Sequence, residues 1–225
     1  DFILDAVEAT DDPAEAGIVD VVMTCVKCWQ VPEVTEAIRP MVGPDTCILP
    51  MENGVEAPGQ LAEAFGWEHV LGGVCGIVSF KAGPGHIRHV AYEPFVNFGE
   101  WDNRPSDRVE RLRQAFAKAK GLIVDTPADI QVAMWRKYIL IATWSGVGGV
   151  TRAPIGVVRS QPGTRRILEG AMEEVYSVAK ALDIALPDDI VSITMEILDS
   201  VEYGGTASMQ RDVMEGRYSE LEAQI

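Results

Sequence analysis

The sequence lacks a long hydrophobic run, an excess of positive charge and a large number of cysteines. No stretch of its 225 residues reaches the roughly 18 to 20 uninterrupted apolar residues that a membrane helix needs. The 19 Lys and Arg residues against 34 Asp and Glu residues give a net charge of −15. This charge disfavours nonspecific binding to nucleic acid or to an anionic membrane surface, and we expect neither as a partner.

The first residues and the number of cysteines indicate the cellular compartment in which the protein is expected. The N-terminus has neither the basic region nor the apolar run of a secretory signal. The chain contains four cysteines and no Asn-x-Ser/Thr acceptor, which favours a reducing environment. We therefore expect the protein in the cytoplasm. With 47% apolar and 24% charged residues it has the composition of a globular chain, long enough to bury a core without disulfides or metal ions.

Short apolar runs alternate with helical patterns in the first half of the chain. Residues 19–26 and 46–49 are typical of strands buried on both faces of a sheet. A turn at Gly83-Pro84-Gly85 predicts a hairpin, and residues 95–98 fit an edge strand. Further strands are indicated at residues 70–71, 77–80, 87–90 and 122–124. Strands in alternation with helices predict an α/β fold with a mostly parallel, doubly wound sheet.

After about Thr126 the strands stop, and apolar residues recur at helical spacing. Ile130 to Thr143 predicts a strongly apolar helix. Two further helices are predicted, with inner faces formed by Ile167, Ala171, Val175, Val178 and Leu182 in one and by Ile190, Ile197 and Val201 in the other. We therefore predict an α/β domain over residues 1–126 and an all-α domain over residues 127–225.

Two short motifs have an ordinary structural interpretation. Cys25-Val26-Lys27-Cys28 matches C-x-x-C, but no second pair of ligands completes a zinc site, so we predict no metal and treat Cys25 as a small apolar strand residue. Gly146-Val147-Gly148 resembles the start of a dinucleotide fingerprint. It follows a helix instead of a strand, and we interpret it as a flexible or close-packed bend.

Three polar residues are candidates for binding or catalysis. Lys27 and Asn53 each follow a buried strand, and ligands of open α/β sheets bind at the carboxyl ends of the strands. Lys137 lies in the apolar helix that opens the second half, where a protonated amine in a cleft between domains could deliver a proton to a carbonyl oxygen. On position alone, Lys27 can equally be a surface residue, and Asn53 is first of all a turn residue. For Lys137, the spacing alone favours a side chain that projects to solvent.

Two polar residues near the C-terminus have a suggestive spacing. Ser208 and Glu220 are twelve residues apart, close to a whole number of helical turns. They would share one face if a continuous helix joined them. Charged helix residues are more often solvated surface, so the spacing alone assigns no role.

Taken in order, these motifs resemble the ketopantoate reductase family over essentially the whole chain. The resemblance rests on Lys27-x-Trp29-Gln30, Asn53-Gly54, Trp135-Arg136-Lys137, Ser208-Met209-x-x-Asp212 and Glu220-Leu221-Glu222. It implies a Rossmann-type domain followed by a helical domain like that of 6-phosphogluconate dehydrogenase. It also implies hydride transfer from NADPH to ketopantoate, a branched 2-keto acid, which gives pantoate for pantothenate and coenzyme A synthesis.

The resemblance also implies roles for individual residues. Lys137 matches the general acid, and Asn53 matches an amide near both nicotinamide and substrate. Ser208 and Glu220 match substrate-binding positions, and Lys27 matches a lysine on the cofactor side. A homodimer is one assembly that this resemblance leaves open.

The sequence departs from the family pattern in two ways. The strand, Gly-rich turn and helix that hold the pyrophosphate are expected to be missing before Asp1, and the family continues past Ile225. One and two turns after the lysine, better-known members often carry asparagines, where this chain has Ile141 and Ser145. Two alternatives therefore stay open: a reductase for a different 2-keto acid, or a non-catalytic fragment that acts as a binding module.

Overall fold

The computed structural model describes residues 3–4 and 6–224, and the first half of the chain alternates strands with helices. The strands are β1 (Val21–Thr24), β2 (Cys47–Pro50), β3 (Gly72–Gly83), β4 (His86–Gly99) and β5 (Ile123–Asp125). The helices of this half are α1 (Pro13–Ala16), α2 (Val31–Ala37), α3 (Ala57–Phe65) and α4 (Asp107–Phe116). Ser106 caps α4, because its side chain accepts a hydrogen bond from the Val109 amide at 3.2 Å.

The strands form two sheets, β1-β2 and β3-β4-β5, and confirm the predicted α/β class, with two of the three strand pairs parallel. Strands β1 and β2 are parallel, with Val22 opposite Ile48, and β4 and β5 are also parallel. A parallel bridge between Ile48 and Val70 leads from β2 into β3. Strands β3 and β4 form a long antiparallel hairpin around the predicted turn. Residues 70–71 therefore contribute a single bridge before β3 and do not form a strand of their own.

Two predictions about individual strands are wrong. Residues 95–98 are not an edge strand, because they belong to β4, which lies between β3 and β5, and Phe98 is fully buried there. Strand β1 is not buried on both faces, because Met23 is 43% exposed between the buried Val22 and Thr24. In contrast, β2 is buried at every position, as its continuous apolar run predicted.

The second half of the described chain is helical. Its helices are α5 (Ile130–Thr151), α6 (Ile155–Ser160), α7 (Pro162–Ala181), α8 (Ile190–Ser200), α9 (Ser208–Met214) and α10 (Leu221–Gln224). Helix α5 starts at a side-chain cap, where Asp129 accepts from the Val132 amide at 3.0 Å. In residues 3–4 and 6–224, no helix combines the length and the apolar composition needed to cross a membrane. The predicted domain boundary stays a prediction, and it falls between β5 and α5.

The predicted inner face of α7 is wrong in part, since only Val175 of its five residues packs against the helical core. Ile167, Val178 and Leu182 are 60%, 52% and 59% exposed, whereas Leu168 and Met172 are fully buried against α5, α6 and α8. Both sets of residues recur every three or four positions. Each set therefore forms an apolar stripe along α7, and the two stripes lie about 100° apart around the helix axis. Only the packing partners decide between the two stripes, and the sequence does not reveal those partners.

The same error occurs in α8. Ile197, predicted inside, is 46% exposed, and its neighbour Leu198 is fully buried instead. Ile190 is buried as predicted. The helix ends at Ser200.

Helix α5 is longer than predicted, since it continues past Thr143 to Thr151. Gly146-Val147-Gly148 is therefore helical, and the prediction of a bend is wrong. Close packing does explain Gly148, because a Cβ atom at this position would lie 2.5 Å from the Oε1 atom of Gln210 on α9. The glycine thus lets α9 approach α5. Arg152 ends the helix in the left-handed conformation, with φ of 54°.

The C-terminal segment is not one continuous helix, so the premise that joined Ser208 to Glu220 is wrong. Helix α9 ends at Met214, and Gly216 turns the chain with φ of 67°. Glu220 lies just before α10, outside any helix.

Candidate functional site

The carboxyl ends of β1 and β2 lie side by side because the strands are parallel neighbours. Thr24 pairs with Pro50, the last residue of each strand. Lys27 and Asn53 each follow three residues later, so both leave the sheet at the same edge. This edge is where open α/β sheets bind their ligands.

Helix α5 brings Lys137 to this edge. The Lys137 Nζ atom donates a hydrogen bond to the Oδ1 atom of Asn53 at 2.8 Å. The lysine side chain is largely shielded from solvent, and this burial lowers the pKa of Lys137, while nearby Cys75 and Glu220 partly oppose the shift. The arrangement is a lysine amine that can give up a proton, held by a neutral amide oxygen.

A second cationic side chain, Lys27, is bound by carboxylates from the C-terminal segment. Its Nζ atom lies 2.8 Å from Oδ2 of Asp212 and 3.6 Å from Oε2 of Glu220. Burial acts to lower the pKa of Lys27, but the hydrogen bond that Lys27 donates to Asp212 and the negative charges of Asp212 and Glu220 raise it above its ordinary value. The carboxylates therefore shift the pKa of Lys27 upward, whereas burial shifts the pKa of Lys137 downward.

The turn that carries Lys27 is closed by its own motif. The Lys27 amide donates to Oε1 of Gln30 at 3.1 Å, and the Gln30 amide donates to the Lys27 carbonyl at 2.8 Å. Trp29 packs edge-on against Tyr218, with ring centroids 4.5 Å apart. The Lys27-x-Trp29-Gln30 motif thus shapes the turn after β1 and attaches the C-terminal segment to it.

Glu220 joins this turn directly. Its carboxylate is 2% exposed and accepts a hydrogen bond from the Cys28 amide at 3.1 Å through Oε1. The negative charge of Glu220 acts on both lysines. It raises the pKa of Lys27, and it opposes the lowering of the pKa of Lys137. A bend at Gly216 brings Glu220 to this turn, and a continuous helix does not.

The structure therefore joins the predicted site residues in two groups. Lys137 contacts Asn53, and Lys27 contacts Glu220. Ser208 begins α9, four residues before Asp212, and its side chain is exposed. Its predicted role in substrate binding stays a prediction.

Three further residues of the site received no role from the sequence. Asp212 and Arg217 complete the cluster around Lys27, with Arg217 Nε 2.9 Å from Oδ1 of Asp212. Glu52 is buried at the end of β2, where it accepts hydrogen bonds from Thr24 Oγ1 at 3.1 Å and from the Val26 amide at 3.3 Å. Burial raises the pKa of Glu52. The only local signal for Glu52 was a carboxylate two residues after the end of an apolar strand.

The two cysteines of the C-x-x-C motif are free thiols. Cys25 lies just beyond the end of β1, so its prediction as a strand residue is wrong. Burial raises the pKa of Cys25 to about 11 and that of Cys28 to about 12. Because the reactive species is the thiolate, these values disfavour a redox pair. Among residues 3–4 and 6–224, no group of three or more His, Cys, Asp and Glu side chains is arranged to hold a metal ion.

A cavity of about 540 Å³ lies beside this site and has a different character. Its walls include Trp101, Trp135 and Tyr138, together with the carboxylates of Glu56 and Glu222. It contains neither Lys27 nor Lys137. Since the charged groups of this cavity are anionic, it disfavours a carboxylate ligand. We therefore take the carboxyl edge of β1 and β2, where Lys27 and Lys137 lie, as the candidate site.

Comparison with known proteins places both halves of the chain in one family. The family profile described as "Ketopantoate reductase PanE/ApbA" matches residues 1–103. The profile described as "Ketopantoate reductase PanE/ApbA C terminal" matches residues 129–225.

Individual relatives agree with these matches. The crystal structure of 2-dehydropantoate 2-reductase from Geobacter metallireducens is similar with a TM-score of 0.89 and 30% identity, over 97% of this chain and 72% of that one. The 2-dehydropantoate 2-reductase of a Nostoc species is 28% identical over 99% of this chain and 70% of its own length. An uncharacterized oxidoreductase of Bacillus subtilis, YkpB, is also 28% identical, over 92% of this chain and 68% of its own.

Proposed function

The chain belongs to the ketopantoate reductase family of nicotinamide-dependent reductases, and from this premise we propose that it reduces 2-dehydropantoate (ketopantoate) to pantoate with NADPH. The observation that carries the proposal is the contact between Lys137 and Asn53 at the carboxyl edge of β1 and β2. A reductase of this kind needs a proton donor at the edge where a nicotinamide binds.

The proposed reaction assigns the proton to Lys137. Reduction of a keto group adds a hydride to the carbonyl carbon and a proton to the carbonyl oxygen, and a bound nicotinamide supplies the hydride. Lys137 holds the proton at Nζ, and the lowered pKa makes its release easier than from a solvated lysine. Asn53 Oδ1 fixes the direction of the ammonium while the other Nζ hydrogens stay available for the substrate oxygen.

The residues at the sheet edge fit the nicotinamide end of a dinucleotide. Asn53 offers both an amide donor and an amide acceptor, which matches a carboxamide, and Lys27 offers a permanent cation for anionic or carbonyl oxygens. The 225 residues contain no G-x-G-x-x-G sequence. The backbone groups that cradle a pyrophosphate are therefore not assigned to any residue of this chain.

The proposed substrate contacts are Asn53, Ser208 and Glu220. The Glu220 carboxylate can accept a hydrogen bond from a substrate hydroxyl, and the exposed Ser208 hydroxyl can donate to a substrate carboxylate. Assembly into a homodimer and location in the cytoplasm remain part of the proposal. Light scattering of the purified chain tests the first of these two.

A different 2-keto acid is the second candidate substrate, and one observation favours it. Ile141 and Ser145 follow Lys137 by one and two turns of α5, so they lie on the same face of the helix. Ile141 is partly buried and apolar, and Ser145 is 2% exposed. The apolar side chain of Ile141, one turn after the proton donor, suits a substrate side chain that lacks a hydroxyl group.

Steady-state assays separate these possibilities. We expect the chain to oxidise NADPH when ketopantoate is present, with NADH as the comparison cofactor and a panel of apolar 2-keto acids as comparison substrates. The highest kcat/KM with ketopantoate supports the first candidate, and a higher value with an apolar 2-keto acid supports the second. If the folded chain turns over no 2-keto acid and binds no nucleotide, it is a binding module and the proposal fails.

A further inference from the structure

We propose that Asp212 is a positioning residue, which holds the Lys27 ammonium at the carboxyl edge of β1 beside Glu220. The proposal rests on the proposed function, since it concerns the cofactor side of the same site. It assigns a role to the last residue of the Ser208-Met209-x-x-Asp212 motif, which the reaction itself leaves unused.

The contacts of Asp212 divide between its two oxygen atoms. Oδ2 accepts from Lys27 Nζ at 2.8 Å, and Oδ1 accepts from Arg217 Nε at 2.9 Å. The Arg217 amide also donates to the Asp212 carbonyl at 2.8 Å, which closes the turn after α9. Asp212 is thus fixed from the C-terminal side by Arg217 and presents its other oxygen to Lys27.

The burial of Asp212 distinguishes this pair from a surface ion pair. The Asp212 side chain is 10% exposed, whereas in the pair between Arg165 and Asp199 the carboxylate is 43% exposed. Exposed pairs are screened by water and hold their partners weakly, but a shielded carboxylate with two cations has a defined geometry. Asp199 therefore provides a matched control for the loss of a carboxylate from an ion pair.

Lys27 needs such a partner because its stem is long. A lysine side chain that is free in solution samples many rotamers, and a bond at its end restricts them. Glu220 alone holds Lys27 poorly, since its oxygen is 3.6 Å from Nζ and its other oxygen is engaged by the Cys28 amide. Asp212 is the group within hydrogen-bond distance, so it determines where the ammonium lies.

The kinetic consequence follows from which residues Asp212 touches. It contacts Lys27 but not the pair of Lys137 and Asn53, which is joined separately. Replacement of Asp212 by Asn keeps the shape and removes the charge. We expect KM for NADPH to rise by roughly 10- to 100-fold, the loss of one charge-assisted hydrogen bond, while kcat changes by less than about threefold. We expect Asp212→Glu to recover part of the loss and Asp199→Asn to leave both constants unchanged.

A second measurement does not depend on turnover. Acetylation of lysines by limiting acetic anhydride, followed by mass spectrometry, reports how freely each amine reacts. We expect Lys27 to react more slowly than the exposed Lys120 in the native chain, and severalfold faster in Asp212→Asn than in Asp199→Asn. If Asp212→Asn does not fold, Arg217→Ala tests the same contact, because Arg217 is largely exposed but orients Asp212.

The outcomes separate this inference from the proposed function. A native chain without reductase activity contradicts the proposed function, and the acetylation rates then decide alone whether Asp212 holds Lys27. Unchanged Lys27 reactivity in the folded Asp212 and Arg217 variants overturns the inference, whatever the activity. If the native chain is active and Asp212→Asn has a lower kcat with an unchanged KM for NADPH, the inference is also overturned.

Discussion

The Nζ atom of Lys137 lies 2.8 Å from the Oδ1 atom of Asn53, although 84 residues separate the two in the chain. This contact joins the helical half to the carboxyl edge of the parallel strands. A proton donor that is shielded from water and aimed by a neutral amide is what reduction of a ketone requires.

Replacement of Asn53 by Ala removes the acceptor that directs Lys137. A hydrogen bond to a charged group contributes about 1.5 to 3 kcal/mol, so we expect kcat/KM to fall about 10- to 100-fold. The exposed Gln114, which bonds only within α4, provides a control variant, Gln114→Ala. Equal kinetics of the Asn53 and Gln114 variants would remove the proposed role of Asn53.

The pH dependence of kcat/KM should reveal the state of Lys137. A general acid must be protonated, so activity is lost as the pH rises through its pKa. Because burial lowers the pKa of Lys137 from the ordinary value of 10.5, we expect the basic limb below that pH. The Asn53→Asp variant places a negative charge against the ammonium and should move the limb to higher pH. A basic limb that the substitution leaves in place assigns the titration to another group.

The residue at position 141 should determine which 2-keto acid is preferred. Replacement of Ile141 by Asn adds a hydrogen-bonding amide one turn after Lys137. We expect the ratio of kcat/KM for ketopantoate to kcat/KM for an apolar 2-keto acid to rise about tenfold, the value of one hydrogen bond. Val150→Asn is the control, since Val150 lies on the same helix and is 88% exposed. If the ratio is the same in Ile141→Asn as in Val150→Asn, Ile141 does not contact the substrate.

The packing of α7 can be tested with two adjacent residues. Leu168 is fully buried and Ile167 is 60% exposed. Leu168→Ala should lower the free energy of unfolding by about 2 to 5 kcal/mol, through lost burial and a cavity. Ile167→Ala should change it by less than about 0.5 kcal/mol. Urea denaturation measures both, and the reverse order of effects would support the face that periodicity alone suggested.

Local patterns predicted much of the fold. The continuous apolar run of β2 and the hairpin turn at Gly83-Pro84-Gly85 each depend on residues that are close in sequence. The face of α7 could not be predicted in this way. Two apolar stripes satisfy the same spacing, and the choice between them depends on packing against distant helices.

The candidate site divides in the same manner. Lys27 and Asn53 were predictable as partners of one sheet edge, because parallel strands end together. The contact between Lys27 and Asp212 spans 185 residues, and no local spacing predicts it. Glu220 reaches the site because the chain bends at Gly216. The sequence suggested a different route, in which one continuous helix would place Ser208 and Glu220 on the same face.

The turnover number of Lys137→Ala is the most direct test of Lys137 as the proton donor. The exposed Lys120 provides the control variant Lys120→Ala, and thermal unfolding verifies that both variants fold. Loss of a positioned general acid should lower kcat with ketopantoate and NADPH by about 10²- to 10⁴-fold, with no loss in the control. A folded Lys137→Ala variant with near-native kcat would contradict the proposed mechanism.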